Sequence, residues 1–150
     1  MERKKSILIV DDDKAILDVI KDILVLQGYR VDTAETAREA LKKTEEKYYN
    51  LALLDIKLPD IEGTHLLKKI HKDVPRMMKV MITGYASLEN AVESLNSGAD
   101  AYLMKPIEAE KLLKVVEDKL DEQAEAESMS QEKVTEWIKS RIRKIESGRY

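Results

Sequence analysis

Three acids in a row are the first residues of this chain that could do chemistry. Residues 7–10 (ILIV) are apolar and run straight into Asp11, Asp12 and Asp13. Two unit charges about 4 Å apart repel by about 4 kcal/mol at an effective dielectric near 20. Such a cluster therefore needs a positive partner or distance. A fourth acid, Asp55, closes a second apolar run, residues 51–54 (LALL). Thr83 ends a third, and Lys105 follows a fourth, residues 101–104 (AYLM). Carboxylates gathered from two chain segments form a hard-oxygen site. Mg2+ favours such ligands and commonly joins one or two carboxylates to a phosphate while keeping several waters. Asp11 and Asp12 with Asp55 fit that ligand count. Asp13 reads instead as the start of a helix, where an acid favours the positive end of the dipole.

Those residues work together only if the elements carrying them align. The four runs are continuous or nearly so, as expected for strands buried on both faces of a parallel sheet. Residues 29–34 (YRVDTA) are more polar and read as an edge strand. Helix-period segments lie between. Ile16, Leu17, Ile20, Ile23 and Leu24 recur at helical spacing, and Gly28 follows as a stop. Further helices are expected over about 36–47 and 64–72, from Ser87 to near Gly98, and after Pro106, the last carrying Leu112, Leu113, Val116 and Leu120. Strict alternation of five strands and five helices predicts a doubly wound α/β sandwich with a five-stranded parallel sheet. Its ligands bind beyond the carboxyl ends of the strands, where strand order reverses. The acids, the threonine and the lysine all fall at those ends.

Composition narrows the field. Charged residues make up 37% of the 150 residues and the net charge is −3, which gives no electrostatic basis for nonspecific nucleic-acid binding. There is no cysteine, hence no disulfide framework and no thiolate chemistry. The basic start MERKKS precedes an apolar run too short for a signal peptide or a membrane span. The expectation is a cytoplasmic protein without membrane contact.

The segments ILIVDDD, LALLDIKLPDIEG, MITGYAS and AYLMKP resemble the receiver domain of two-component response regulators, the CheY-like family, in order and spacing over roughly residues 5–120. The resemblance implies that Asp55 is a phosphoacceptor served by a sensor histidine kinase or a phosphotransfer protein. It implies that Asp11, Asp12, Asp55 and the backbone carbonyl of Lys57 hold Mg2+, with Mn2+ as a substitute. Thr83 would donate its hydroxyl to a phosphoryl oxygen and Lys105 would pair with Asp55 or its phosphate. A cis bond would join Lys105 to Pro106. Tyr102 would be the aromatic switch that turns inward when Thr83 moves. A phosphate adds roughly −1.5 to −2 charge near neutral pH, enough to bias a two-state surface. That surface is the fourth helix, fifth strand and fifth helix, a candidate face for a partner or a homodimer. Lys57 and Tyr85 lie at positions that tune dephosphorylation in receivers, and their bulk suggests a long-lived phosphate.

Other readings explain less. A haloacid-dehalogenase-type phosphatase with Asp11 as nucleophile leaves LALLD unexplained and finds Ala15 where that pattern wants a hydroxyl or β-branched residue. A flavodoxin-like phosphate loop after the first strand would be repelled by three aspartates. A degenerate receiver used only as an interaction module has no need of the full acceptor, metal, hydroxyl and lysine set. His65 and His71 read as solvent-side residues, and the methionines at 77, 78, 81 and 104 as packing.

The expected organisation is a receiver over 1–122, a linker or helix extension over 123–130, and a short C-terminal helix and tail over 131–150. Ser128 and Gln131 offer a capping box for that helix. Its apolar stripe of Val134, Trp137, Ile138, Ile142 and Ile145 could dock on the receiver, pair with a second copy or bind a partner. No helix-turn-helix pattern is present, so direct nucleic-acid binding is not expected.

Overall fold

A computed structural model describes residues 4–84 and 87–148. Five parallel strands alternate with five helices: β1 (Ser6–Val10), α1 (Lys14–Leu26), β2 (Arg30–Ala34), α2 (Ala37–Glu46), β3 (Leu51–Asp55), α3 (Gly63–Asp73), β4 (Met78–Thr83), α4 (Leu88–Asn96), β5 (Ala101–Met104) and α5 (Ala109–Glu146). The sheet order is β2-β1-β3-β4-β5. The chain steps from β1 outward to β2, then crosses back to place β3 on the other side of β1. That reversal opens the crevice between the ends of β1 and β3, where Asp11 and Asp55 sit.

Alternation along the strands divides the core into two layers. Leu8, Val10, Ala52, Leu54 and Met81 face α2 and α3, whose Ala40, Leu66, Leu67 and Ile70 close that side. Ile7, Ile9, Leu51, Leu53, Val80 and Ile82 face α1 and α5, meeting Leu17, Ile20, Leu24, Leu112 and Val116. Burial on both faces is why these strands read as unbroken apolar runs. Helix starts follow local chemistry. Asp13 caps α1 by accepting from the Ala15 and Ile16 N–H groups, Thr36 caps α2 through Glu39, and Ser87 caps α4 through Asn90. At the end of α4, Gly98 takes φ +106, and a Cβ there would lie 2.4 Å from the His71 ring, so both conformation and space call for glycine.

Residues 123–130 are a helix extension and not a linker, and three expectations are corrected. Among the described residues there is no separate C-terminal helix over 131–150, because α5 runs unbroken for 38 residues to Glu146. Ala, Glu, Gln and Met make up most of residues 123–130, and their helix propensity outweighs the lack of an apolar stripe there. Ser128 and Gln131 therefore cap nothing: they lie inside the helix, where backbone N–H groups already bond to carbonyls one turn back. Met77 and Met81 are core residues, but Met104 is 60% exposed, because β5 is an edge strand and its last residue points away from the layers. His65 and His71 are both exposed.

Candidate functional site

β1 delivers Asp11 into a nearly closed position, 2% exposed, and β3 delivers Asp55 at 6%. Asp12 is exposed beside them. One carboxylate oxygen from each of the three lies within 4.8 Å of the others. The opposing charge comes from the far end of the chain. Lys105 Nζ lies 2.8 Å from Asp11 Oδ2 and 3.3 Å from Asp55 Oδ2, bridging two acids that are 94 and 50 residues away in sequence. Lys105 is itself held, because its backbone N–H donates to the Thr83 carbonyl at 2.8 Å. Its bond to Pro106 is cis. Thr83 is fully buried at the end of β4. The backbone at both acids is folded tightly: the Asp13 N–H donates to Asp11 Oδ1 and the Lys57 N–H to Asp55 Oδ1.

The electrostatics follow from this packing. Burial pushes the Asp55 carboxyl above the usual carboxylate range, and the Asp11 charge adds to the rise. Lys105 and the Lys57 N–H pull the other way without cancelling it. Burial works against the Lys105 ammonium, but its hydrogen bond to Asp11 and the charges of Asp11 and Asp55 outweigh that and raise its pKa. Lys105 thus offsets part of the repulsion the sequence poses, and the remaining negative charge is open to a cation on the exposed Asp12 side.

Two residues that sequence reasoning did not single out shape the loop after Asp55. Gly63 opens α3 pressed against the strand end: a Cβ there would lie 2.0 Å from the Asp55 carbonyl oxygen, and the Gly63 N–H donates to the Ile56 carbonyl at 2.6 Å. Asp60 reaches across to the start of α2 and accepts from the Ala37 and Arg38 N–H groups at 2.9 and 3.0 Å. The slight burial of Asp60 works upward, but these donors outweigh it and lower its pKa. The signal available was the spacing DIKLPDIEG itself, an acid and a glycine at fixed distances after Asp55.

Tyr102 lies on β5, partly buried against the α2–α3 layer, with its hydroxyl sealed from solvent. Burial raises its phenol pKa, the nearby Ser87 N–H acting the other way. Lys57 is exposed beside the acids. Tyr85 lies outside the described residues.

Residues 7–117 match the family model described as the response regulator receiver domain. The chain belongs to that family. Over 107 residues the receiver is 39% identical to the transcriptional regulatory protein ZraR of Klebsiella oxytoca, covering 71% of this chain and 24% of that protein. A response regulator receiver domain protein (CheY-like) from Methanospirillum hungatei JF-1 is 60% identical, with a TM-score of 0.81 over 83% of this chain and 99% of that one. NtrX from Brucella abortus is 33% identical, with a TM-score of 0.82 over 86% of this chain and 29% of that one. The chain spans about a quarter of the length of the curated relatives it matches. Among the described residues, no helix is long and apolar enough to cross a membrane.

Proposed function

We propose that this receiver is a phosphorylation-controlled switch in which Asp55 accepts a phosphoryl group from a phosphohistidine. The observation that carries this reading is the convergence of Asp11, Asp12 and Asp55 on one strand edge with Lys105 bridging the two buried acids. In the reaction an Asp55 carboxylate oxygen bonds to phosphorus, the nitrogen–phosphorus bond breaks, and the histidine departs with its electron pair. Phosphoryl transfer needs positioning and charge neutralisation more than covalent help. Lys105 supplies a fixed positive charge beside the attacking oxygen. The donor set of three clustered carboxylates suits a hard divalent cation, so Asp11, Asp12, Asp55 and the Lys57 carbonyl would hold Mg2+, or Mn2+ in its place. Such an ion supplies further neutralisation of the phosphoryl oxygens. Thr83 then donates its hydroxyl to the product.

The donor must dock beside this edge. A groove of about 550 Å3 lies there, lined by Ile16, Val19, Ile20, Pro106 and Ile107 together with Lys105. Its apolar lining suits a helical sensor histidine kinase or phosphotransfer protein. Output leaves through α4, β5 and α5, where Leu88, Leu95 and Met104 are 82%, 54% and 60% exposed. Tyr102 on β5 would couple that face to Thr83, which ends the neighbouring strand β4. Lys57 beside the acids would restrict water and lengthen the phosphate's life; a lifetime of seconds would refute this. The chain's near-balanced charge favours a protein partner over nucleic acid, and membership of the receiver family is consistent with a cytoplasmic donor.

The test is intact mass after incubation with Mg2+ and acetyl phosphate, beside Asp55→Asn. One added phosphate on the wild type, absent without Mg2+ and absent from the variant, is expected. Unmodified wild type under conditions that label a control receiver would overturn the reading and leave a phosphorylation-independent interaction module.

A further inference from the structure

The face of α5 that packs on the sheet continues beyond the sheet. At about 100° per residue, Leu112, Val116, Leu120 and Gln123 occupy one sector of the helix, and all four are buried. Continued at the same phase, Val134, Ile138, Arg141 and Ile145 fall in that sector, with Trp137 and Ile142 at its borders. The five apolar residues among them are between 45% and 63% exposed. Gln123 is the last anchor: its amide donates to the Asn50 and Arg76 carbonyls at 2.8 Å each. From there to Ile145 the helix rises about 33 Å, so the stripe hangs below the sheet on the side of the body. A cavity of about 720 Å3 marks the same phase, with Tyr48 and Arg76 of the underside facing Glu127, Ser130, Gln131 and Val134 across it.

This phase restricts what can cover the stripe. Paired helices lie about 8–10 Å apart. A second copy's helix laid parallel along the stripe would continue upward into the space filled by the first copy's sheet. Laid antiparallel, it carries its own body away below. The stripe is also self-complementary in that direction. About a point between Lys139 and Ser140, Val134 mirrors Ile145, Trp137 mirrors Ile142, and Ile138 mirrors Arg141. A two-fold interface demands such reciprocity. Arg141 lies inside the sector, but its guanidinium turns toward Trp137 at the border, 5.6 Å from the ring centroid, so its stem can pack while its charge reaches toward solvent. In this register the partner's helix end arrives opposite Val134, at the cavity.

We propose that two copies of this chain pair through antiparallel α5 extensions, each helix end seated in the cavity between the other copy's α5 and the underside of its sheet. The pairing does not depend on phosphorylation. Sedimentation of the full chain at about 100 µM, roughly a hundredfold above a micromolar Kd, should show a dimer. Ile138→Asp should weaken it at least tenfold while still accepting phosphate at Asp55 or, should that chemistry fail, keeping the wild-type circular dichroism. The chain has no cysteine, so orientation can be read by oxidation. A mixture of Val134→Cys and Ile145→Cys chains should form the mixed cross-link, and Val134→Cys alone should not. A monomer in sedimentation, or efficient cross-linking of Val134→Cys alone, would overturn the proposal.

Discussion

Gly63→Ala puts the architecture of the site to a quantitative test. Gly63 does not have positive φ, so the backbone tolerates any residue. Alanine would ordinarily help here, since reducing unfolded-state freedom stabilises by about 0.4–1 kcal/mol at a compatible position. The close approach reverses that sign. The added methyl would meet the Asp55 carbonyl oxygen at 2.0 Å, the Ile56 Cα at 2.7 Å and the Asp55 carbonyl carbon at 2.9 Å. Ordinary contact begins near about 3.5 Å. All three obstacles are backbone atoms, and the Gly63 N–H bond to Ile56 keeps them close. The start of α3 must therefore retreat by more than about 1 Å, or the end of β3 must. Overpacking of this kind costs about 1–3 kcal/mol, and with rigid neighbours the upper half of that range is expected. For a chain of this size the Tm should fall by roughly 4–12 °C. Because two of the three displaced atoms belong to Asp55 and the third to Ile56 beside it, labelling by acetyl phosphate should slow as well, even at temperatures where the variant is folded. Urea melts and calorimetry give the first quantity, and labelling rates at saturating Mg2+ the second. A neutral or stabilised Gly63→Ala with wild-type labelling would refute the claim that this glycine sets the position of the acceptor.

Lys79 is 1% exposed in β4, and among the described residues its amine makes only a long contact to the Pro75 carbonyl at 3.4 Å. Burial lowers its pKa, and Asp100 only partly restores it. Since the folded pKa lies below the unfolded 10.5, the penalty is complete near neutral pH and disappears as pH rises toward 10.5. Lys79→Met should stabilise by about 1 kcal/mol at pH 7, with the gain shrinking as pH rises toward 10.5 in parallel urea melts; a destabilised variant would count against it. Gln123→Leu removes both donors that tie α5 to the underside, and should cost about 1–3 kcal/mol; an unchanged melting curve would show that the clamp carries nothing. The Tyr49 hydroxyl donates to Asp32 Oδ2 at 2.6 Å. Burial works upward on Asp32, but the hydrogen bonds from Tyr49 and Lys47 outweigh it and lower its pKa. That contribution is present above the unfolded value of 3.8 and is lost as pH falls through the depressed folded one. Tyr49→Phe should cost about 1 kcal/mol at pH 7, and the two melting curves should converge below pH 3.8; a difference that persists there would point to packing instead.

The elements easiest to read were those with one environment along their length. Strands β1, β3 and β4 are buried on both faces, so they appear as unbroken apolar runs, and the residues that end them are the site. Harder were the residues whose environment departs from their type. Lys79 interrupts an apolar run, and nothing in its identity says that its amine is buried. Gln123 sits among glutamates and lysines and reads as surface, yet its two main-chain partners come from loops 73 and 47 residues away. Gly63 could be seen as a helix-breaking residue near a loop, but its need for glycine comes from a backbone that only the folded chain brings near. Polarity concealed the continuity of α5, because residues 123–130 have no apolar partner to face, while their propensity favours helix.

The two edges of the sheet therefore do different work. At the carboxyl edge, buried acids and Lys105 hold charge that a new ligand can redistribute, so small displacements there have large electrostatic effect. At the amino edge the groups that clamp α5 are neutral and tightly paired. Gln123 closes hydrogen bonds to the chain just before β3 and just before β4, and Asn50 also accepts the Ser6 N–H at 2.9 Å. Neutral hydrogen bonds of this kind respond little to charge added at the opposite edge. The direction in which α5 leaves the body is thus fixed independently of the state of Asp55. Phosphorylation should alter the α4–β5 surface while leaving the amino-edge clamp intact. Hydrogen exchange with and without phosphate tests this: protection should change in α4 and β5 and remain constant at Asn50 and Met78. Loss of protection at those amides would show that the helix is released by the switch.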